Sequence, residues 1–325
     1  MPSPLDTDFF DLLQQLEARA GAAADKEAMS RIIRKVQDWP GAPIWRSMEE
    51  MFYSLHVSAV LEHRFFLKEQ PPDIARELVN DFVRSIRALL GEAHGTRASE
   101  NHEMLLGNLR CEGDAIITFN YDFVAERALA AFYGDPPRRN EPFGNWFYGF
   151  SERPTNAPKG IPTLYKLHGS LNWELAEDEH GDTQNARTEW PSAWAEFAQE
   201  LDYSPKEAVG YCGDERARPP ILLPYWDKRV EKGVWAKIWK AAADQLRRTD
   251  SLIVWGYSLP PSDLKARELL RLAFRPGARL TKFAVIDPSR EVQDRWRSFI
   301  KAPFWRFASF AEFSHCAQSN LHPFR

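Results

Sequence analysis

The chain has 325 residues, a formal net charge of −4 and 44% hydrophobic residues, enough to bury a substantial core in one domain or two. An isoelectric point near 6.1 leaves no basic footprint for direct nucleic-acid binding, and no apolar stretch reaches membrane-spanning length or forms a signal-peptide core. Three widely spaced cysteines, Cys111, Cys212 and Cys316, support neither a disulfide framework nor a cysteine metal site, so a reducing cytoplasm is the expected setting.

Pro4-Leu5-Asp6-Thr7-Asp8 reads as a loop feeding a helix from about Phe9 to Arg19. Residues 25–110 then carry helical patterns alone. Ser47-Met48-Glu49-Glu50 is a capping box ahead of Met51, Phe52, Leu55 and Val60. Pro71-Pro72-Asp73 opens a further helix with Ile74, Leu78, Phe82, Ile86 and Leu90 on one stripe. The stretch at 25–112 is accordingly expected as a helical insertion subdomain within one domain spanning 1–325.

From residue 115 the rhythm changes to strand, helix, strand. Apolar runs at 115–119, 164–167, 252–255 and 283–286 are short, rich in β-branched or aromatic residues, and bounded by turn residues, the pattern of buried parallel strands. Helices are expected at about 123–132, 234–248, 261–274 and 291–300, with further strands at 220–224 and near Phe304-Trp305-Arg306-Phe307. Residues 134–162 read as a long loop whose aromatics Phe143, Trp146, Phe147 and Phe150 pack over something. Residues 174–218 read as irregular and acidic. The fold class is therefore α/β: a Rossmann-like, mostly parallel sheet with helices on both faces. Twelve tryptophans and a 13% aromatic share fit core packing, or an aromatic rim around a planar ligand or a partner.

Each of the four strand ends carries polar residues, and in doubly wound sheets ligands sit outside the carboxyl ends of strands. Thr118-Phe119-Asn120-Tyr121-Asp122 places an amide, donor and acceptor together, after the first strand; the same residues could simply cap the next helix. Leu167-His168-Gly169-Ser170 places an imidazole directly after the second, where exposure would let it exchange a proton near neutral pH; a structural histidine is the plain alternative. Gly256-Tyr257-Ser258 follows the third strand and leads through Pro260-Pro261 into a helix, so glycine backbone, hydroxyl and helix N–H groups could meet phosphate. An ordinary strand-to-helix turn would use the same residues. Asp287 follows the fourth, as a ribose acceptor or as a helix cap.

Taken together in this order, the motifs resemble the sirtuin-like proteins, in particular the prokaryotic branch that lacks zinc and hydrolyses NAD⁺, often in antiphage defence. The resemblance runs from Pro4 to about Ser289. It implies that Asn120 and His168 are the catalytic pair, with Asp122 the neighbouring pocket acid and Thr118 beside it. It implies cofactor contacts from Gly256 and Ser258 to phosphate and ribose, and from Asp287 to the adenosine ribose. Two departures stand out. No four-cysteine zinc module can be built, which counts against protein deacylation. The family's first strand and Gly-Ala-Gly-x-Ser loop are missing, since Pro4 to Phe10 resembles the segment just downstream of that loop.

The activity so implied is NAD⁺ glycohydrolysis, giving nicotinamide and ADP-ribose, with NAD⁺ as substrate and no metal. The alternative is a non-catalytic sensor of NAD⁺ or ADP-ribose, or an interaction protein on a degenerate sirtuin-like fold. Expected partners beyond NAD⁺ are a second copy of the chain or a separate sensor protein. A dehydrogenase is disfavoured, because no Gly-x-Gly-x-x-Gly fingerprint is present.

Overall fold

A computed structural model describes residues 9–19, 24–37, 81–90 (except 83 and 87), 100–106, 113–133 (except 123), 146–150, 152–153, 155, 159–170, 173–177, 183–188, 217–218, 222, 230, 233–300 (except 262) and 302–318. The capping box at 47–50 and the helix start at 71–73 lie outside these residues, as do Phe143, Cys111 and Cys212. The chain divides into two compact units, one built from residues 1–98, 119–144 and 168–228, the other from 99–118, 145–167 and 229–325.

In the first unit, α1 (Phe9–Arg19) and α2 (Ala24–Gln37) stand beside helical residues within 81–90. Apolar positions recur three and four apart, and Phe9, Leu13, Met29, Ile32, Phe82 and Ile86 are buried together with their neighbours. The Phe9 and Phe82 rings meet at 5.3 Å. Arg31 grips Asp81 with two parallel hydrogen bonds of 2.6 Å, Nε to Oδ2 and Nη2 to Oδ1, the fork geometry that makes such a pair directional. The same unit holds α4 (Val124–Tyr133) and a three-stranded antiparallel sheet of β3 (Trp173–Glu177), β4 (Thr183–Thr188) and β5 (Ala217–Arg218), ordered β4-β3-β5. This corrects the irregular reading of 174–218. Thr183-Gln184-Asn185-Ala186-Arg187-Thr188 has no apolar alternation, so its strand character comes from pairing with β3.

The second unit contains the parallel pairings. β1 (Ala115–Thr118) pairs with β2 (Thr163–Lys166), Thr118 opposite Lys166. β6 (Ser251–Trp255), β7 (Lys282–Ile286) and β8 (Trp305–Phe307) form a second parallel sheet in that order. The parallel strands thus occur as two small sheets among the described residues, where one continuous sheet was expected. Helices of this unit are α3 (Glu100–Leu106), α5 (Gly233–Arg248), α6 (Leu264–Arg271), α7 (Arg290–Ile300) and α8 (Phe310–Gln318). α5 buries Val234, Trp235, Ile238, Trp239, Ala242 and Leu246, a stripe at helical spacing. α8 closes β7 and β8 with Phe310 and Phe313 over Ala284, Ile286 and Phe307. Trp255 stacks on Phe310 at 4.6 Å and meets His102 of α3 at 4.5 Å.

Two expected boundaries shift. The helix expected from Pro261 begins at Leu264 and ends in a tighter turn at Leu272–Phe274, because Pro260 and Pro261 belong to a turn closed by the Asp263 N–H on the Pro260 carbonyl. Of the strand expected at 220–224, only Leu222 is described, and it lies outside any strand. The aromatic loop does pack: Trp146, Phe147 and Tyr148 are buried, and Arg153 lies over the Trp146 ring at 4.6 Å.

Candidate functional site

The site residues expected from sequence fall into two groups, one in each unit. In the first unit, Asn120 and His168 each stand two residues past the last registered strand pair, Thr118 and Lys166. Asn120 is exposed. Its chain neighbours Phe119 and Tyr121 both face the His168 ring, at 5.0 and 6.3 Å between centroids. The structure therefore brings the Asn120 segment against His168. The imidazole is only 6% exposed, which corrects the expectation of an exposed histidine: aromatic rings from a distant segment cover it.

A second connection runs through Leu222. The Tyr121 hydroxyl donates to the Leu222 carbonyl at 3.0 Å, and the Leu222 N–H donates to the His168 carbonyl at 2.7 Å. A single residue, 54 positions downstream of His168 by number, thus ties both motifs through its own backbone. Its role leaves no residue-type signal in the sequence, because it acts through backbone groups alone. Asp122 spends one carboxylate oxygen on the Val124 N–H at 2.9 Å, the capping role considered for it.

In the second unit, Thr118 ends β1, and its carbonyl accepts the Leu167 N–H at 2.9 Å. The Leu167 carbonyl in turn accepts the indole N–H of Trp239 at 3.0 Å, so α5 holds the backbone immediately before His168. Gly256 follows β6 at φ +67, a left-handed conformation that disfavours any side chain, and its N–H donates to the Ile286 carbonyl at 3.0 Å. An added Cβ there would meet nothing within 4 Å; the position opens outward. Leu259, three residues on, is also left-handed at φ +52 and fully buried. For a leucine this costs about 1–2 kcal/mol, and strain of this kind concentrates at ligand-binding turns.

α7 clamps this turn. Arg295 donates to the Ser258 carbonyl at 2.7 Å, and the Trp296 indole donates to the Tyr257 carbonyl at 3.1 Å. Asp287 follows β7, 8% exposed, and accepts the Ser289 N–H at 2.8 Å. Burial raises its carboxyl pKa above the ordinary value, partly offset by that N–H and by the Arg295 charge. At the start of α6, Asp263 is buried and receives the Tyr257 hydroxyl at 3.3 Å. Asp263 sits at the N-cap position of α6 without a side-chain bond to its first N–H groups, so a negative charge stands near the helix end where phosphate was expected, which counts against that helix as an anion cradle.

Alternating strands and helices with parallel pairing and polar residues at the strand ends define an α/β protein. Residues 114–200 match the family model described as SIR2-like domain. The matched stretch spans Thr118, Asn120, Asp122 and His168 and stops before Gly256. It supports a sirtuin-like, NAD-related role for this region. No curated protein matches the chain. Among the described residues, no helix is long and apolar enough to cross a membrane, and no group of three or more His, Cys, Asp or Glu side chains is arranged to hold a metal ion.

Proposed function

We propose that the protein is an NAD⁺ glycohydrolase of the zinc-free prokaryotic sirtuin-like type, cleaving the nicotinamide–ribose bond in antiphage defence. One observation carries the reading: the Asn120 and His168 motifs extend two paired parallel strands by equal lengths, inside the stretch that matches the SIR2-like domain. The nicotinamide leaving group is already cationic and needs no proton. The barrier lies in the oxocarbenium-like ribose. Asn120 orients the carboxamide or the attacking water, turning an encounter into a positioned attack. His168 removes a proton from that water or from a ribose hydroxyl, help worth about 10²–10⁴-fold. Thr118 and Asp122 line this end of the substrate. The sirtuin-like resemblance assigns Gly256, Ser258 and Asp287 to the phosphate and ribose groups of the adenosine half.

The test is release of free nicotinamide from NAD⁺ by the purified chain. Asn120→Ala removes an exposed side chain, so it should leave the melting temperature near that of wild type while abolishing turnover. His168→Ala should abolish turnover at some cost in stability, because the ring is buried. Unchanged NAD⁺ loss in both variants removes these roles. The burial of His168 favours one other reading, a non-catalytic NAD⁺ or ADP-ribose sensor acting through a partner or a second copy. That protein would melt higher with either dinucleotide and release no nicotinamide.

A further inference from the structure

Ser170 stands two residues beyond His168, at the end of an unbroken buried run over 164–170. Its side chain has no exposed surface, and its hydroxyl oxygen has no hydrogen-bond partner among the described residues. A buried hydroxyl without a partner costs free energy that an alanine methyl would not. The neighbouring Gly169 is left-handed at φ +89, a backbone shape that glycine adopts without penalty. The turn after β2 therefore carries two polar side chains in a largely apolar, aromatic setting, His168 against Phe119 and Tyr121, and Ser170.

We propose that Ser170 is a substrate-binding residue whose hydroxyl is completed by a ribose hydroxyl of the bound dinucleotide. The inference rests on the NAD⁺ glycohydrolase reading and deepens it. Two residues of chain span at most about 7 Å, so one ribose ring is large enough to address His168 and Ser170 together. A ribose hydroxyl both donates and accepts, which suits a serine able to do either. Ser170 then acts on the sugar, whereas Asn120 and His168 act on the bond being broken.

Ser170→Ala and Ser170→Cys test this in the full chain, with NAD⁺ turnover and melting with and without ADP-ribose as readouts. Without ligand, the alanine variant should melt at or above wild type, since it loses an unmet polar group. Its kcat/KM for NAD⁺ should fall about 3- to 10-fold, the loss of one neutral hydrogen bond. The rise in melting temperature caused by ADP-ribose should shrink in parallel. The cysteine variant places a somewhat larger, weakly hydrogen-bonding atom at the same point, so it should show the same kcat/KM loss even if alanine disturbs folding. Wild-type kcat/KM in the cysteine variant overturns the assignment, as does a less stable alanine variant with wild-type kcat/KM. A wild-type chain that neither consumes NAD⁺ nor gains melting temperature from NAD⁺ or ADP-ribose overturns the parent reading and this one with it.

Discussion

Removing one oxygen tests the connection between the Asn120 and His168 motifs. Tyr121 is 5% exposed, and its hydroxyl donates to the carbonyl of Leu222, itself 8% exposed. In Tyr121→Phe the ring and its contact with His168 remain, but a buried carbonyl loses its donor. The cost of such an orphaned group is about 1–3 kcal/mol. The Leu222 N–H still holds the segment to the His168 carbonyl at 2.7 Å, while the freed carbonyl can turn partly toward water, which places the cost at about 1–2 kcal/mol. For a cooperative unit of this size, that lowers the melting temperature by about 2–8 °C. Thermal unfolding followed by tryptophan fluorescence measures it, and NAD⁺ turnover measured alongside should fall because the His168 backbone is less firmly held. A variant that melts within about 1 °C of wild type would mean that water already satisfies the Leu222 carbonyl and that Tyr121 holds nothing.

Gly149 is left-handed at φ +76, and a Cβ there would stand 2.5 Å from Tyr165 Cε1 and 2.8 Å from Cδ1. Tyr165 is buried, so Gly149→Ala combines left-handed strain with overpacking and should destabilise by about 2–5 kcal/mol; wild-type stability in urea refutes the close approach. Asp287 holds its proton to higher pH in the folded chain than in the unfolded one, so its contribution is intact below the ordinary carboxyl value and lost as pH rises through the folded value. Asp287→Asn cannot ionise, yet still offers an acceptor to the Ser289 N–H. Its melting temperature relative to wild type should therefore climb as pH rises above the ordinary carboxyl value, and a flat or falling difference contradicts the burial argument.

Strand positions were legible because the runs at 115–119, 164–167, 252–255 and 283–286 are mostly apolar and end at turn residues, a local signature that overlaps β1, β2, β6 and β7. The helices α1, α4, α5 and α7 likewise followed from their periodicity and lie within a residue or so of expectation. The failures share a non-local cause. His168 was expected to be exposed because His-Gly is polar and turn-like, but the rings covering it come from residues 119 and 121. β3 to β5 escaped notice because pairing makes them strands, with little help from composition. Pro261 looked like a helix start by the usual preference for proline in the first turn; the adjacent Pro260 turn and Asp263 postpone it to Leu264. At the candidate site, residue types pointed to Asn120 and His168, whereas Leu222, Trp239 and Arg295 act on main-chain carbonyls far away in sequence and were invisible beforehand.

α7 grips the bend after β6 by its main chain, at the carbonyls of residues 257 and 258. A loop fastened in that manner keeps its shape whatever hydroxyl, amide or methyl is presented at position 258. Under the proposed NAD⁺ reading, a substitution at position 258 would therefore alter ligand preference without rebuilding the fold around it.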